Sequence, residues 1–251
     1  MTETADSKSA FAEQHDWDRN FFLLFLVLCW LGVIMGFAPA VTGRFQGKAD
    51  YVAPLRLHIH AIAFIGWLVL LSAQILLIRF KADAVHRTLG LVSFALIPIM
   101  VVSAIWSEVY SQQFYVAKHP ENLQFFIIPI YYVTAFGILA GCAVALRRFP
   151  STHKRLIYLA TSVIVGAAYG RWWGHPIGKL VGDTYWGTII YTFTGFNMLV
   201  CLALAYDLIT RRTLHKVFVI AVPILLLAEL IVSFIYHNPA WPPIARMIIG
   251  R

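Results

Sequence analysis

Charged residues are scarce in this 251-residue chain, and acidic residues are fewer than basic ones. Asp, Glu, Lys and Arg together make up 13% of the sequence, whereas hydrophobic residues make up 60%. Soluble domains carry about 25% charged residues, so this composition excludes a water-soluble protein. The sequence therefore predicts an integral membrane protein, with the lipid bilayer as its solvent.

Cysteine is also rare, and its positions form no motif. The three cysteines, Cys29, Cys142 and Cys201, fall inside apolar runs without CxxC or CxxxC spacing. This pattern excludes a disulfide framework and a zinc ribbon. Glycine-rich phosphate loops, GxSxG and HExxH are absent too, so no motif indicates phosphate binding, a nucleophilic serine or a zinc protease.

Seven apolar runs are long enough to cross a bilayer, because a hydrocarbon core of about 30 Å needs about 20 helical residues. They cover residues 20–41, 55–78, 88–110, 124–146, 155–174, 186–209 and 216–236. We expect an all-α bundle of seven transmembrane helices at residues 20–237, between a polar tail at 1–19 and an interfacial tail at 238–251. Residues 1–19 lack a basic leader and a small-residue cleavage site, so the first run is predicted to be a helix and not a removed signal peptide.

Basic residues cluster in three turns, which follow the second, fourth and sixth runs. The ten residues concerned are Arg79, Lys81, Arg87, Arg147, Arg148, Lys154, Arg155, Arg211, Arg212 and Lys216. Short basic turns remain in the cytoplasm, so the amino terminus is predicted inside and the carboxyl terminus outside. The net charge of +8 is then a topology signal, and nucleic acid is not expected as a partner.

Glycines spaced four residues apart predict close contacts between helices. The series are Gly32 and Gly36, Gly137 and Gly141, and Gly166, Gly170 and Gly174. Asp207 and Glu229 are the only carboxylates expected inside apolar runs. The remaining acidic residues fall mainly in the first eighteen positions and in predicted turns.

Polar side chains are predicted to converge in the outer half of the bundle. Lipid offers no hydrogen-bond partners, so polar residues within a run should face protein, water or a cofactor. The outer ends of the runs hold His58, His60, His119, His175 and His237. His60, Trp67 and Gln74 recur every seven residues and form one polar stripe on a helix. Glu229, Ser233 and His237 recur every four residues and form a second stripe. Arg171 is a cation expected near the bilayer interior.

These residues define a predicted cofactor site. The cofactor-binding set is His60, Trp67, Gln74, Arg171, His175, Glu229 and His237, and the candidate metal ligands are His58, His60, His175 and His237. Histidine is a common ligand of haem and of transition metals, and a proton carrier near neutral pH. The alternative is structural: Glu229 pairs with Arg171 or joins a buried hydrogen-bond network, and the boundary histidines reach for water.

A second, inner histidine cluster is formed by His86, His153 and His215, each followed by a basic residue. All three lie at the edge of a run, whereas a haem ligand should lie a turn or more inside the bilayer. Their alternative role is to bind lipid phosphate or to cap a turn. This placement counts against a cytochrome with one haem near each surface.

Several motifs occur along the chain from the second run onward: His60, Phe64, Trp67, Gln74, the His86-Arg87-Thr-Leu-Gly90 turn, His153-Lys154-Arg155-Leu156, Arg171-Trp172, Asp207, His237 and Trp241. In this pattern the chain resembles a family of uncharacterised bacterial integral membrane proteins. The resemblance implies a multi-pass protein of the bacterial inner membrane and supplies no activity. A more distant likeness to cytochrome b561-type proteins rests on histidines at both ends of adjacent helices, and it implies haem b.

Three functions are open at this point. The first is a histidine-rich protein that binds haem or a transition-metal ion in its outer half, for electron transfer or cofactor handling. The second is a proton-coupled transporter in which Glu229 exchanges the proton. The third is a non-catalytic assembly or accessory subunit, with a larger membrane complex or a second copy of the chain as partner.

Overall fold

The computed structural model describes residues 11–118 and 120–250, and within these ranges the chain is helical without strands. The described part forms nine α-helices: α1 Asp18–Phe45, α2 Leu55–Arg79, α3 Asp83–Gly90, α4 Ser93–Tyr115, α5 Ile127–Ala145, α6 Pro150–Val181, α7 Tyr185–Arg211, α8 Lys216–His237 and α9 Trp241–Ile248. A 3₁₀ helix at Pro120–Phe126 precedes α5. The predicted all-α class is confirmed.

Six helices in the described ranges are long and apolar enough to cross a membrane. They are α1, α2, α4, α7 and α8, together with Leu123–Ala145, which includes α5. The protein is therefore a multi-pass membrane protein. The seventh predicted run lies in α6, which is long enough but less apolar than the other six.

Helix α6 is less apolar than the other six because charged residues lie towards both of its ends, while its middle is enclosed by other helices. It packs against α1, α5 and α7, and fourteen of its 32 residues are buried. Its tyrosines reach carbonyls on the neighbouring helices: Tyr158 donates to Leu199 O at 2.7 Å, and Tyr169 donates to Leu28 O at 2.9 Å. A helix enclosed by protein needs fewer lipid-facing apolar side chains, and it satisfies polar groups inside the bundle.

Glycine allows α1 to approach α6 closely. A Cβ atom on Gly32 would overlap the Tyr169 ring, and one on Gly36 would overlap the Ala168 carbonyl. Gly166 similarly accommodates Phe196 of α7. The predicted close contacts are confirmed at these positions. The prediction is wrong for Gly141, because nothing lies within 4 Å of a Cβ built there.

Two connecting segments are more ordered than the sequence indicates. The charged turn expected between the second and third runs contains the two-turn helix α3. The segment after α8 forms α9, which packs on the 3₁₀ helix through stacked rings of Trp241 and Phe126, 6.4 Å apart. Gln113 of α4 also donates to Ile249 O at 2.6 Å, which joins the carboxyl-terminal segment to the bundle.

Four helix ends meet at one end of the bundle, which we call the basic end. Arg79 at the end of α2 donates to Asn20 of α1 at 3.0 Å. Lys154 near the start of α6 and Arg211 at the end of α7 both contact Asp18 of α1. Helices α1 and α6 start at the basic end, and α2 and α7 end there. We call the half of the bundle farther from the basic end the opposite half.

Candidate functional site in the opposite half

The basic end is held together by a carboxylate that several donors share. Asp18 accepts from Lys154 at 2.7 Å, from Tyr206 at 2.6 Å, and from Arg211 at 2.8 and 2.9 Å. Three helices are joined through this one side chain. We assign this network of charged hydrogen bonds a structural role, because each charge in it is paired with an opposite charge.

A second carboxylate at the basic end is fully enclosed. Asp207 is 1% exposed and receives both Arg155 Nε and Nη2, at 2.9 and 2.5 Å. Arg155 is 3% exposed and is also held by Ser151. Arg211 and the His215 backbone amide complete the hydrogen bonds of Asp207. The sequence identified Asp207 as an embedded acid but did not identify its partner.

The segment before α1 packs over these charges. The Phe11 ring lies 4.6 Å from the Arg155 guanidinium and 4.8 Å from the His215 ring. The His215 ring accepts from the Val217 amide through Nδ1 at 3.1 Å, so it caps the start of α8. Burial, and then the charge of Arg155, lower the pKa of His215 to about 4. His215 therefore caps a helix, which is one of the alternative roles predicted for the inner histidines.

His86 and His153 are neighbours, and Gln74 lies with them. His153 Nδ1 is 2.8 Å from Ala143 O, and its charge interacts with that of His86. Burial is the main cause that lowers the pKa of His86. A Cβ on Gly90, in the same short helix as His86, would lie 3.4 Å from Gln74 Nε2. Gln74 was predicted to join the outer site, but it lies about 21 Å along α2 from His60 and belongs to this inner group.

Glu229 occupies the interior of the opposite half. Its side chain is on α8, is 2% exposed, and accepts from Asn197 Nδ2 of α7 at 2.9 Å. In the part of the chain that the structure describes, its second oxygen, Oε1, is buried without a hydrogen-bond partner. Tyr131 of α5 reaches α8 close to this acid, because its hydroxyl contacts Leu225 O, four residues before Glu229. Tyr132, the next residue, contacts Thr192 O of α7. Their hydroxyls donate to backbone carbonyls and not to the acid.

A second polar group surrounds Arg171 of α6. Its guanidinium lies 4.9 Å from the Phe37 ring, and its charge interacts with His60 of α2 and with Glu108 of α4. The His60 ring packs against Phe64 at 4.3 Å, and among the described residues no group bonds to its buried Nδ1.

Glu108 is a functional candidate that the sequence did not reveal. It lies inside the membrane-spanning length of α4 and accepts from Gln112 at 2.8 Å. The prediction that Asp207 and Glu229 are the only embedded carboxylates is therefore wrong. Glu108 is two residues from the end of the apolar run at 88–110, whereas α4 continues to Tyr115. The signal was already in the sequence, because residue 108 lies inside the predicted run at 88–110.

The other predicted ligands lie in different surroundings. His58 and His175 are exposed. The His237 ring is hydrogen-bonded to Thr188, with 2.9 Å between Nε2 and Oγ1. Trp67 is buried and donates to Thr161 of α6 at 3.1 Å, so it joins two helices. His119 lies outside the described residues.

No group of three His, Cys, Asp or Glu side chains suited to a metal ion occurs within residues 11–118 and 120–250. Comparison of the chain with protein-family models, with curated proteins and with solved structures finds no match. The chemistry of the opposite half must therefore be inferred from its own side chains. They are two carboxylates, one imidazole and two phenols, together with the exposed guanidinium of Arg171, which donates to Ala167 O at 3.1 Å. Within the described residues, Glu229 and His60 each keep one buried atom without a hydrogen-bond partner.

Proposed function

We propose that the protein is a proton-coupled membrane transporter in which Glu229 takes up and releases the proton. The observation that carries this proposal is that only one oxygen of the buried Glu229 carboxyl group is hydrogen-bonded. Asn197 donates to that oxygen, and the other has no partner in the described structure. A charged carboxylate is costly in a bilayer interior, and a carboxyl group that binds a proton avoids this cost. Embedded acids of this kind commonly serve as proton relays.

The neighbouring groups suit a proton pathway. Arg171 supplies a positive charge near His60 and Glu108, and His60 keeps an imidazole nitrogen unengaged among the described residues. An imidazole takes up and releases protons near neutral pH in an ordinary environment. We assign His60 and Glu108 to proton transfer, Arg171 to charge balance, and Asn197 to positioning Glu229.

The proposal includes a seventh span in α6 and a place in the bacterial inner membrane. Helix α6 runs beside α1, from the contact of Lys154 with Asp18 to that of Arg171 with Phe37. These seventeen residues correspond to about 26 Å, close to the thickness of a hydrocarbon core. The proposal also puts the basic end in the cytoplasm and the opposite half outside, which the tendency of short basic turns to stay in the cytoplasm supports.

Uptake by proteoliposomes tests the proposal. The purified protein is reconstituted with a trapped pH-sensitive dye, and a panel of amino acids, sugars and carboxylates is added outside. We expect at least one compound to drive proton movement, and Glu229→Gln to reduce that movement at least tenfold. Asp16→Asn, which changes an exposed carboxyl outside the spans, should leave it unchanged. Wild-type vesicles that respond to no compound, or a Glu229→Gln variant that responds fully, would reject the coupling role.

A second candidate function is binding of haem or a metal ion, and it rests on the unpartnered nitrogen of His60. This nitrogen suits one axial bond to haem iron or one bond to a transition metal. His58, His175 and His237 stay as candidates for a second ligand under this hypothesis. An absorption spectrum and elemental analysis of the detergent-purified protein decide it, because a Soret band or stoichiometric metal that His60→Ala removes would favour it over proton coupling.

A further inference from the structure

An open groove of about 290 Å³ lies between α4 and α5 near the basic end. Its wall contains apolar residues of both helices, one serine and one cation: Ser93, Phe94, Ile97, Pro98, Gly141, Val144, Ala145 and Arg147. The volume is near the lower limit of about 300 Å³ for ligand sites. The groove is separate from Glu229 and Arg171, which line no part of it.

Two residues explain why the helices leave this space. Gly141 has no side chain, and nothing lies within 4 Å of a Cβ built there, so the groove is open at this point. Pro98 lies inside α4, where its ring prevents a regular helical hydrogen bond to the Phe94 carbonyl and favours a local bend. The groove therefore results from the glycine at position 141 and the proline at position 98.

Arg147 lines the groove and lies two residues after Ala145, the last residue of α5. Its guanidinium is 5.4 Å from the Phe94 ring, and Nη1 donates to Val144 O at 3.1 Å. A guanidinium has five N–H donors in a planar fork that matches a phosphate. The residue is exposed, so its charge can reach a ligand outside the groove.

The dimensions fit a molecule with an acyl chain and an anionic head. Gly141 lies six residues before Arg147, which is about 9 Å along α5. The apolar wall therefore extends inward from a cation at the boundary of the span, because α5 ends at Ala145. A lipid is present on every side of a membrane protein, and basic residues at this depth attract anionic lipid heads.

We propose that this groove binds one anionic phospholipid, with an acyl chain between α4 and α5 and the phosphate on Arg147. The charge complementarity selects an anionic lipid over a zwitterionic one. The cavity at Gly141 selects a lipid chain over a free phosphate, since inorganic phosphate has nothing to place there. The site is independent of the transport proposal.

Native mass spectrometry of the full-length protein in detergent measures the binding. Dioleoyl phosphatidylglycerol, dioleoyl phosphatidylcholine and inorganic phosphate are titrated separately. We expect one phosphatidylglycerol to bind about tenfold more tightly than phosphatidylcholine, as one charged hydrogen-bond contact would give. Arg147→Gln should remove this preference. Inorganic phosphate at the same concentration should neither bind nor displace the lipid.

Glycine substitutions distinguish lipid binding in the groove from nonspecific lipid binding elsewhere on the protein. Gly141→Leu adds a side chain where no atom of the described structure lies within 4 Å of a Cβ, and should weaken phosphatidylglycerol binding at least tenfold. Gly66→Leu is the matched control, because Gly66 in α2 is equally open and lies outside the groove. Unfolding temperature shows that both variants fold. Equal binding of the two lipids by the wild type, or unchanged binding by Gly141→Leu, would overturn the proposal.

Discussion

Asp207 and Glu229 are two carboxylates with nearly the same burial and opposite surroundings. Both are at most 2% exposed. Each oxygen of Asp207 accepts two hydrogen bonds, from Arg155, Arg211 and the His215 amide. Glu229 accepts one hydrogen bond, from the neutral amide of Asn197. The comparison teaches that burial alone does not identify a functional acid, whereas the degree of pairing separates a structural charge from a candidate proton carrier.

The largest expected difference between the two regions is in stability. Asp207→Asn leaves the Arg155 charge buried without an opposite charge, which should cost about 3–5 kcal/mol of unfolding free energy. Glu229→Gln keeps an oxygen for the Asn197 amide and should cost less than about 1 kcal/mol. Unfolding by sodium dodecyl sulfate in mixed micelles measures both. Equal losses for the two variants would remove the distinction between the regions.

The contact between α1 and α6 joins the two regions, and a smaller loss is expected when it is disturbed. Gly36→Ala places a methyl group against the Ala168 carbonyl and should cost about 1–3 kcal/mol. Gly43→Ala, in the same helix, meets no atom within 4 Å and serves as the control. The same unfolding assay applies. A cost that is the same at Gly43 as at Gly36 would show that α1 does not pack closely on α6.

The smallest expected effect is a pH dependence of stability at the basic end. An unfolded histidine binds its proton near pH 6.5, whereas the pKa of folded His215 is about 4. Between these values the unfolded chain binds more protons, so the contribution to stability is lost as pH falls from about 6.5 to 4. Protonation of Nδ1 would also remove the bond from the Val217 amide.

His215→Asn tests this pH dependence, because asparagine retains a capping oxygen but does not titrate. The charged groups that influence His215 are Arg155, Asp207, Lys154 and Arg211. They are unchanged in the variant, so the difference between the two melting curves isolates the histidine. We expect the wild type to lose more stability than His215→Asn between pH 7 and 5. Parallel losses would assign the effect to other groups.

The sequence predicted the helical architecture well because apolar run length is a local property. Runs in the sequence correspond to α1, α2, α4, α5, α7 and α8. The α6 run is less apolar because charged residues such as Arg155 and Arg171 bound it, and the sequence does not show that its middle is enclosed by other helices. Helix α3 was expected to be a turn, since its eight residues contain charges and are too short to show a clear pattern.

The candidate site was less predictable because its contacts join distant parts of the chain. The bond between Asn197 and Glu229 spans 32 residues, and that between Arg155 and Asp207 spans 52. Spacing within one helix gives the face of a residue but not its partner on another helix. Gln74 illustrates this limit, because it shares a stripe with His60 and nevertheless lies in the other half of the bundle.

Infrared titration of the carboxyl groups tests the central claim most directly. Protonated and ionised carboxyl groups absorb at different frequencies, so the proton on Glu229 can be observed without a substrate. We predict that the purified wild type shows a protonated carboxyl band that titrates with pH, that Asp207→Asn retains the band, and that Glu229→Gln lacks it. A Glu229→Gln spectrum identical to that of the wild type would contradict the assignment of Glu229 as the proton carrier.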